Sequence, residues 1–227
     1  MKISFLLILI FAIFCNLKSF AMSMEEALQI ELNGEPQKNL DLATLKKSKI
    51  AVVNHFNSLN KRSEPYRGIP LSSLMSLAIP NQLKEVVEIE LVSVNGFKSY
   101  YSAEMLQKVD SILSYERTDG ENFVRFSQKE KMLVPLGPYY FVWDFKNLAK
   151  DQREVYNSVY QVKKINFVTN KIDFGVNEGL DKEIFLGLRT YKKYCLSCHA
   201  IGKLGGDISF DFIKKKTLES KGAEFFI

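Results

Sequence analysis

Two cysteines and a histidine stand together near the end of the chain, in the order Cys195-Leu196-Ser197-Cys198-His199. Two thiols three positions apart in a helical segment lie on one face, and the next residue supplies an imidazole. Such thiols can add to the two vinyl groups on one side of a porphyrin, and the imidazole can then bind the iron. The spacing therefore predicts covalent haem attachment through Cys195 and Cys198, with His199 as an axial ligand.

Three other chemistries are open to this CXXCH motif (residues 195–199). A redox-active dithiol usually lies at the start of a helix that follows a strand, because the helix dipole lowers one thiol pKa there. A structural zinc ion needs four protein ligands, and the only histidine besides His199 is His55. A disulfide between the two neighbours is a third use of the cysteines in an oxidising compartment. We expect haem attachment, with dithiol or disulfide chemistry as the main alternative.

An amphipathic helix is predicted to carry the motif at its C-terminal end. Asp181 is a suitable N-cap, and Ile184, Leu188 and Tyr191 follow at steps of three and four up to Cys195. The thiols would then end a helix, which argues against a redox-active dithiol.

Residues 181–227 resemble the N-terminal helix and haem loop of class I cytochromes c. The resemblance implies that Cys195 and Cys198 carry the thioether bonds and that His199 is the proximal ligand of haem c. It also implies that a small residue in the helix lets the terminal helices cross closely, and that an aromatic residue shields the haem edge. Besides the motif, the matching residues are Gly187, Tyr191, Tyr194 and Gly205-Gly206.

The class I pattern is incomplete in two respects. The family supplies a methionine after the haem loop as second axial ligand, but the last methionine here lies far upstream. Ser209-Phe210 stand where the family has Gly-Pro, whose carbonyl orients the proximal histidine, so we expect His199 to lack this acceptor. The sequence assigns no second ligand and leaves open a truncated product, a five-coordinate iron or a ligand from the preceding domain. The candidates there are His55, Met75, Met105 and Met132.

Residues 22–171 are predicted to form a separate β-rich domain, joined to the 181–227 segment by a linker at 172–180. Asp119-Gly120 signals a hairpin between two strands. The chain as a whole is expected to be of the α+β class. The predicted strands are Leu28–Leu32, Ile50–Phe56, Val86–Val94, Ile112–Arg117, Phe123–Phe126, Tyr139–Asp144 and Val159–Val168, and the predicted helices are Asp41–Lys47, Ser72–Leu77 and Ser102–Val109.

Two segments of this domain, Tyr66–Leu74 and Gly137–Trp143, with Asn95-Gly96-Phe97 between them, resemble the molybdopterin-binding domain of the sulfite-oxidase superfamily in its small exported versions. The resemblance implies a mixed α+β domain with a curved sheet. Enzymes of that superfamily hold molybdenum through a cysteine of this domain, but no cysteine stands within residues 22–171. Serine or aspartate cannot replace a soft thiolate without changing the metal chemistry. We therefore expect the scaffold without molybdopterin.

Residues 1–21 are typical of an export signal. Lys2 precedes an apolar run, Ile3–Phe14, and Ser19-Phe20-Ala21 supplies small residues for cleavage after Ala21. The apolar run is shorter than a comfortable membrane span. We expect a periplasmic protein with no stable span after cleavage, or a membrane-associated one if the segment stays uncleaved.

The composition favours protein partners over nucleic acid. The formal net charge is only +5, and two of the lysines that contribute to it, Lys2 and Lys18, lie in the export signal. So small a charge does not indicate nucleic-acid binding. Hydrophobic residues at 46% and charged residues at 25% are ordinary for a globular chain, so a packed core is expected.

The sequence thus predicts an exported c-type cytochrome with one covalent haem, which passes single electrons between periplasmic redox partner proteins. Such a protein is an electron carrier rather than a catalyst. Two other functions stay open: a haem-containing subunit of a molybdopterin-type oxidoreductase, and a non-catalytic binding domain with a vestigial cytochrome tail.

Overall fold

The computed structural model describes residues 27–57, 61–127, 131–170, 182–202 and 204–214. The predicted export signal at 1–21 and the predicted linker at 172–180 lie outside the described residues. The strands, in chain order, are β1 (Leu28–Leu32), β2 (Glu35–Leu40), β3 (Ala51–Asn57), β4 (Arg62–Pro70), β5 (Glu88–Ser93), β6 (Lys98–Ser102), β7 (Ser111–Arg117), β8 (Val124–Ser127), β9 (Met132–Pro135), β10 (Tyr139–Trp143), β11 (Val159–Val168), β12 (Ala200–Ile201) and β13 (Leu204–Gly205).

The helices are few, and most of them are short. They are α1 (Leu42–Leu45), α2 (Leu71–Ala78), α3 (Ala103–Lys108) and α4 (Lys182–Tyr194), with 3-10 helices at Phe145–Asn147 and Lys150–Val155. No helix in the part of the chain that the structure describes is both long and apolar enough to cross a membrane.

Nine strands form one sheet. Along its main path the order is β2-β1-β11-β10-β7-β4-β3, while β5 pairs with β11 and β6 pairs with β5. The β1–β11 pair is parallel, and the other pairs of this sheet are antiparallel. A mixed sheet with a few helices confirms the predicted α+β class.

The main core lies around β10 and β11. All five residues of β10 are buried, and Phe141 and Trp143 are fully enclosed. Burying one such side chain contributes about 1.5–3 kcal/mol to folding. The indole N–H of Trp143 donates to the Asn157 carbonyl at 3.0 Å, so its burial leaves no unpaired donor. This aromatic strand is therefore a structural centre of the domain.

Most of the predicted elements are confirmed. β1 and β11 begin and end at the predicted residues, and five other predicted strands appear with ends shifted by one or two positions. All three predicted helices of this domain form. Ser102 caps α3 as expected, because its hydroxyl accepts a hydrogen bond from the Met105 amide at 3.3 Å.

The predicted hairpin at Asp119-Gly120 is wrong. The chain does turn there, since Gly120 has a φ of +78° and the Arg117 guanidinium donates to the Asp119 carboxylate at 3.0 Å. However, β7 pairs with β4 on one edge and with β10 on the other. Both edges of β7 are occupied, so β8 pairs with β9 in a separate two-stranded ribbon.

Strand β4 was not predicted, because two prolines and several charged residues interrupt its pattern. In the structure it lies between β3 and β7. Its buried Glu64 accepts a hydrogen bond from the Tyr66 hydroxyl at 2.6 Å and is 3.3 Å from an Arg117 guanidinium nitrogen. Partners from neighbouring positions and from β7 thus satisfy a charge that a lone strand could not bury.

Gly68 lies where β4 packs against β7, and a β-carbon at this position would overlap the Leu113 carbonyl oxygen and the Ser114 backbone. We expect Gly68→Ala to lower the free energy of unfolding by about 3 kcal/mol, since backbone atoms cannot move aside. Urea denaturation followed by circular dichroism measures this change. Gly187→Ala in α4 is the control: a β-carbon there would meet no other part of the described chain within 4 Å, so the free energy of unfolding should rise by about 0.5–1 kcal/mol. Equal effects of the two substitutions would contradict this packing.

Candidate functional site

The CXXCH motif directly follows the end of α4. The amides of Cys195 and Leu196 both donate to the Tyr191 carbonyl, at 2.9 and 3.0 Å. The amides of Cys198 and His199 both donate to the Cys195 carbonyl, at 3.0 and 2.9 Å. The chain thus makes one more tight turn after the helix. Both thiols are half-buried and unbridged, and they end a helix, as predicted.

A short hairpin folds the chain back over this turn. β12 and β13 pair through Ala200 and Gly205, and the Gly206 amide donates to the Leu196 carbonyl at 2.7 Å. A β-carbon at Gly205 would overlap the His199 carbonyl oxygen, and one at Gly206 would overlap that of Ser197. The two glycines singled out in the sequence therefore permit a backbone approach that other residues would block.

The His199 ring is held by a backbone carbonyl. Its Nδ1 lies 3.1 Å from the Phe210 carbonyl oxygen. Because a carbonyl only accepts, Nδ1 carries the proton and the lone pair lies on Nε2. Within the described residues, Nε2 makes no hydrogen bond. The expectation that His199 lacks an orienting acceptor is wrong: Phe210 supplies it, since any residue carries a carbonyl and proline is not required.

Aromatic rings surround this histidine. The centroids of Phe210 and Phe212 lie 4.7 and 4.8 Å from that of His199. The Tyr191 hydroxyl donates to the His199 carbonyl at 3.0 Å. Burial, with the nearby Cys195 and Asp211, raises the pKa of Tyr191 to about 12. This hydroxyl therefore stays protonated and keeps its role as a donor.

The segment that supplies the carbonyl is itself anchored. Phe212 donates its amide to the Ala200 carbonyl at 2.9 Å. The buried Asp211 carboxylate accepts from the amides of Gly202 and Ile213, at 3.0 and 3.1 Å. The roles of Asp211 and Phe212 could not be predicted from the sequence, because neither residue belongs to the motif.

The sheet domain contacts the motif through the turn between β5 and β6. The Lys98 amide donates to the Ser197 carbonyl at 3.1 Å. Gly96, with a φ of +87°, has the Asp207 carboxylate where its β-carbon would be. The Asn95-Gly96-Phe97 turn, noted in the sequence, thus forms a platform for the motif.

A buried carboxylate supports this platform. Glu90 accepts hydrogen bonds from Asn166 and Tyr100, each at 3.0 Å, and pairs with the Lys98 ammonium at 3.0 Å. Burial raises the pKa of Glu90, but the hydrogen bonds from Asn166, Lys98 and Tyr100 and the charge of Lys98 outweigh burial. The net pKa therefore lies below its ordinary value.

The other candidate iron ligands lie in the sheet domain. Met75 in α2 and Met105 in α3 pack against the main core, and Met132 on β9 is 56% exposed. His55 on β3 packs against the rings of Tyr66, Tyr140 and Phe145. The structure thus brings together Cys195, Cys198 and His199 and gives no second axial ligand among the described residues.

The side chains that could bind a metal or cofactor can be compared with what a metal ion, molybdenum and haem each require. The described residues contain no cluster of three or more His, Cys, Asp or Glu side chains that could hold a metal ion. A thiolate-held molybdenum does not fit the sheet domain, because no cysteine lies within residues 22–171. Two unbridged thiols beside an imidazole with a free Nε2 do fit covalent haem.

We expect the neutral His199 ring to be the Nδ1–H tautomer, because the Phe210 carbonyl needs a donor. Long-range proton–nitrogen correlation spectra of the ¹⁵N-labelled protein report the tautomer. Phe210→Ala keeps the carbonyl and should keep this tautomer. Gly206→Ala drives the loop off the Ser197 carbonyl and should abolish the preference. A wild-type ring protonated on Nε2 would overturn the assignment.

We expect Glu90→Gln to lower the free energy of unfolding by about 1–3 kcal/mol at neutral pH, since charge-assisted hydrogen bonds are lost. A carboxylate with a lowered folded-state pKa stabilises above its unfolded pKa of about 4.3, and this stabilisation disappears as the pH falls through the folded value. The difference between wild type and variant should therefore shrink in acid. Urea titrations over a pH series test this, with the exposed Glu116→Gln as control. A pH-independent difference would rule out the charge effect.

No protein-family model matches the chain, and no curated protein matches it either.

Proposed function

We propose that this protein is an exported c-type cytochrome that carries one haem, covalently attached through Cys195 and Cys198, with His199 as an axial ligand. The observation that carries the proposal is the hydrogen bond between His199 Nδ1 and the Phe210 carbonyl. Metal-binding histidines typically donate their second ring N–H to such an acceptor, which fixes the ring and strengthens the other nitrogen as a ligand. The arrangement supports iron binding at Nε2.

The thiols support the same proposal. Cys195 and Cys198 are unbridged and half-buried, and they lie in the turn that ends α4. Attachment requires two unbridged thiols on a rigid stretch of backbone, adjacent to the ligating imidazole. A redox-active dithiol is less well supported, since such thiols usually lie at the positive, N-terminal end of a helix, whereas these follow the C-terminal end of α4.

Exposed apolar side chains in the segment that carries the motif also support a bound porphyrin. Large apolar side chains exposed to water carry a free-energy cost of about 25 cal/mol per Å² of surface that a ligand could cover. In the described part of the 181–227 segment, six are more than a third exposed: Ile184, Leu186, Tyr194, Leu204, Ile208 and Ile213.

The rigidity of the site suits electron transfer. Haem, when bound, supplies an iron that gains and loses one electron reversibly. The Phe210 carbonyl, the Asp211 anchor and the glycine contacts would hold the His199 ring in one position while the iron changes its oxidation state. We propose that the protein passes single electrons between periplasmic redox partners and is a carrier rather than a catalyst.

The sheet domain has a supporting role in this proposal. Its fold is α+β, and we propose that it is a molybdenum-free relative of the sulfite-oxidase molybdopterin-binding domain. The Lys98–Ser197 hydrogen bond links it to the motif. The domain would then fix the orientation of the haem relative to partner proteins.

Covalent haem is the direct test. When the full chain is co-expressed with a haem c maturation system, haem staining of a denaturing gel should label it, with about one iron and no molybdenum per chain by metal analysis. Cys195→Ala with Cys198→Ala should remove the stain. Cys15→Ala, which changes the third cysteine of the chain, is the matched control and should keep it.

His199→Ala separates ligation from attachment, since any haem that still attaches should lose the spectrum of a histidine-ligated iron. Absence of covalent haem in the wild type, under conditions that mature a control cytochrome, would contradict the proposal.

A further inference from the structure

The sheet domain contains a second candidate site, a cavity of about 550 Å³. It lies between β3, β4, β8 and β10, and the 3-10 helix Lys150–Val155 contributes to its wall. Its volume is within the range of small-molecule sites, which is about 300–1,000 Å³. None of its lining residues belongs to the CXXCH motif.

Two of the residues that line this cavity carry a buried polar atom with no close hydrogen-bond partner in the part of the chain that the structure describes. His55 Nδ1 and Ser158 Oγ are buried and have no hydrogen-bond partner of good geometry among the described residues, although the Tyr140 hydroxyl lies close to Ser158. Burial lowers the pKa of His55 more than its hydrogen bond to the Trp143 backbone raises it, so the ring is neutral and keeps one nitrogen for a ligand. An unpaired buried polar group destabilises the fold, and a ligand that bonds to it removes this cost.

The charged side chains at the cavity favour an anion. Arg125, Lys150 and Arg153 line it, and none of them forms an ion pair within the described residues. The acid that lines it, Glu64, is already compensated by Arg117 and by the Tyr66 hydroxyl. The cavity therefore has an excess of positive charge.

Two of these cations are held in place by the protein. The Arg125 guanidinium lies over the Tyr160 ring at 5.1 Å. That of Arg153 donates to the Leu148 and Phe145 carbonyls at 2.8 and 3.0 Å. A preorganised guanidinium loses little conformational entropy when it binds a carboxylate.

Aromatic rings form much of the remaining wall. Tyr66 and Tyr140 pack edge to face with centroids 5.1 Å apart, and Phe145 and Tyr156 also line the cavity. Such rings contact planar apolar groups favourably. The ligand that matches the wall is therefore apolar and planar over most of its surface, with a negative group at one end.

We propose that this cavity binds a small aromatic carboxylate, whose charged group meets Arg125 and Lys150 and whose ring packs against Tyr140 and Phe145. Ser158 and His55 supply the hydrogen bonds that complete the site. This site is independent of the proposed haem, so the full chain with Cys195→Ala and Cys198→Ala should bind the same ligand equally well.

Calorimetric titration of the full chain with 2-naphthoate tests this proposal. The matched neutral compound 2-naphthamide has the same ring without the charge, and sulfate has the charge without the ring. We expect 2-naphthoate to bind at least about tenfold more tightly than either, because the naphthamide lacks the charge-assisted hydrogen bonds and sulfate lacks the ring contacts. Equal binding of the naphthoate and the naphthamide, or no naphthoate binding, would overturn the proposal.

Substitutions locate the binding site. Arg125→Gln should weaken 2-naphthoate binding by about tenfold or more, and Ser158→Ala by a smaller factor. Arg67→Gln is the matched control, because Arg67 lies on the same sheet, pairs with Glu116 and does not line the cavity. Thermal unfolding without ligand checks that the variants are folded. Unchanged binding by Arg125→Gln, or equal weakening by Arg67→Gln, would place the binding elsewhere and overturn the proposal.

Discussion

The pairing of β11 is the constraint on which the rest of the sheet depends. This ten-residue strand pairs with β10 near its start, with β5 along its second half and, in parallel, with β1. A strand has only two edges, so three partners require the pairing to change along its length. The change occurs at Gln161, whose φ is +58° and whose amide and carbonyl bond to Leu136 and Val94, each at 2.8 Å. This irregularity lets two groups of strands share one central element.

Both candidate sites depend on that arrangement. β11 positions β5, and the turn after β5 holds the CXXCH motif through the Lys98 amide. β11 also pairs with β10, which brings Tyr140 to the wall of the cavity. The two sites use different chemistry: the motif is fixed mainly by backbone hydrogen bonds, whereas the cavity presents unpaired side-chain groups. The backbone of the motif is therefore held in one arrangement, whereas side-chain groups at the cavity stay open to a ligand.

The elements that the sequence predicted well are those whose side chains show a regular pattern. β1 alternates, β11 carries several β-branched residues, and Ser102 stands before the apolar pair Met105-Leu106 of a short helix. The missed strand β4 contains Pro65, Pro70 and the charged Glu64. The burial of Glu64 depends on its ion pair with Arg117 of β7, which the sequence does not reveal. The wrong hairpin at Asp119-Gly120 has the same origin, because a turn signal does not reveal whether the preceding strand has a free edge.

The sequence by itself determined the residues that can do chemistry near the end of the chain: two thiols at a spacing of three, the adjacent imidazole and the helix before them. It also determined that the sheet domain has no thiolate for molybdenum. Only the tertiary structure decided that His199 is oriented by the Phe210 carbonyl and that His55 and Ser158 line one cavity with Arg125. The physical reason is that the sequence specifies the type of each side chain, whereas every residue has the same backbone carbonyl, so residue type does not indicate which carbonyl will accept a hydrogen bond. Which carbonyl, edge or side chain becomes a partner depends on how distant segments pack.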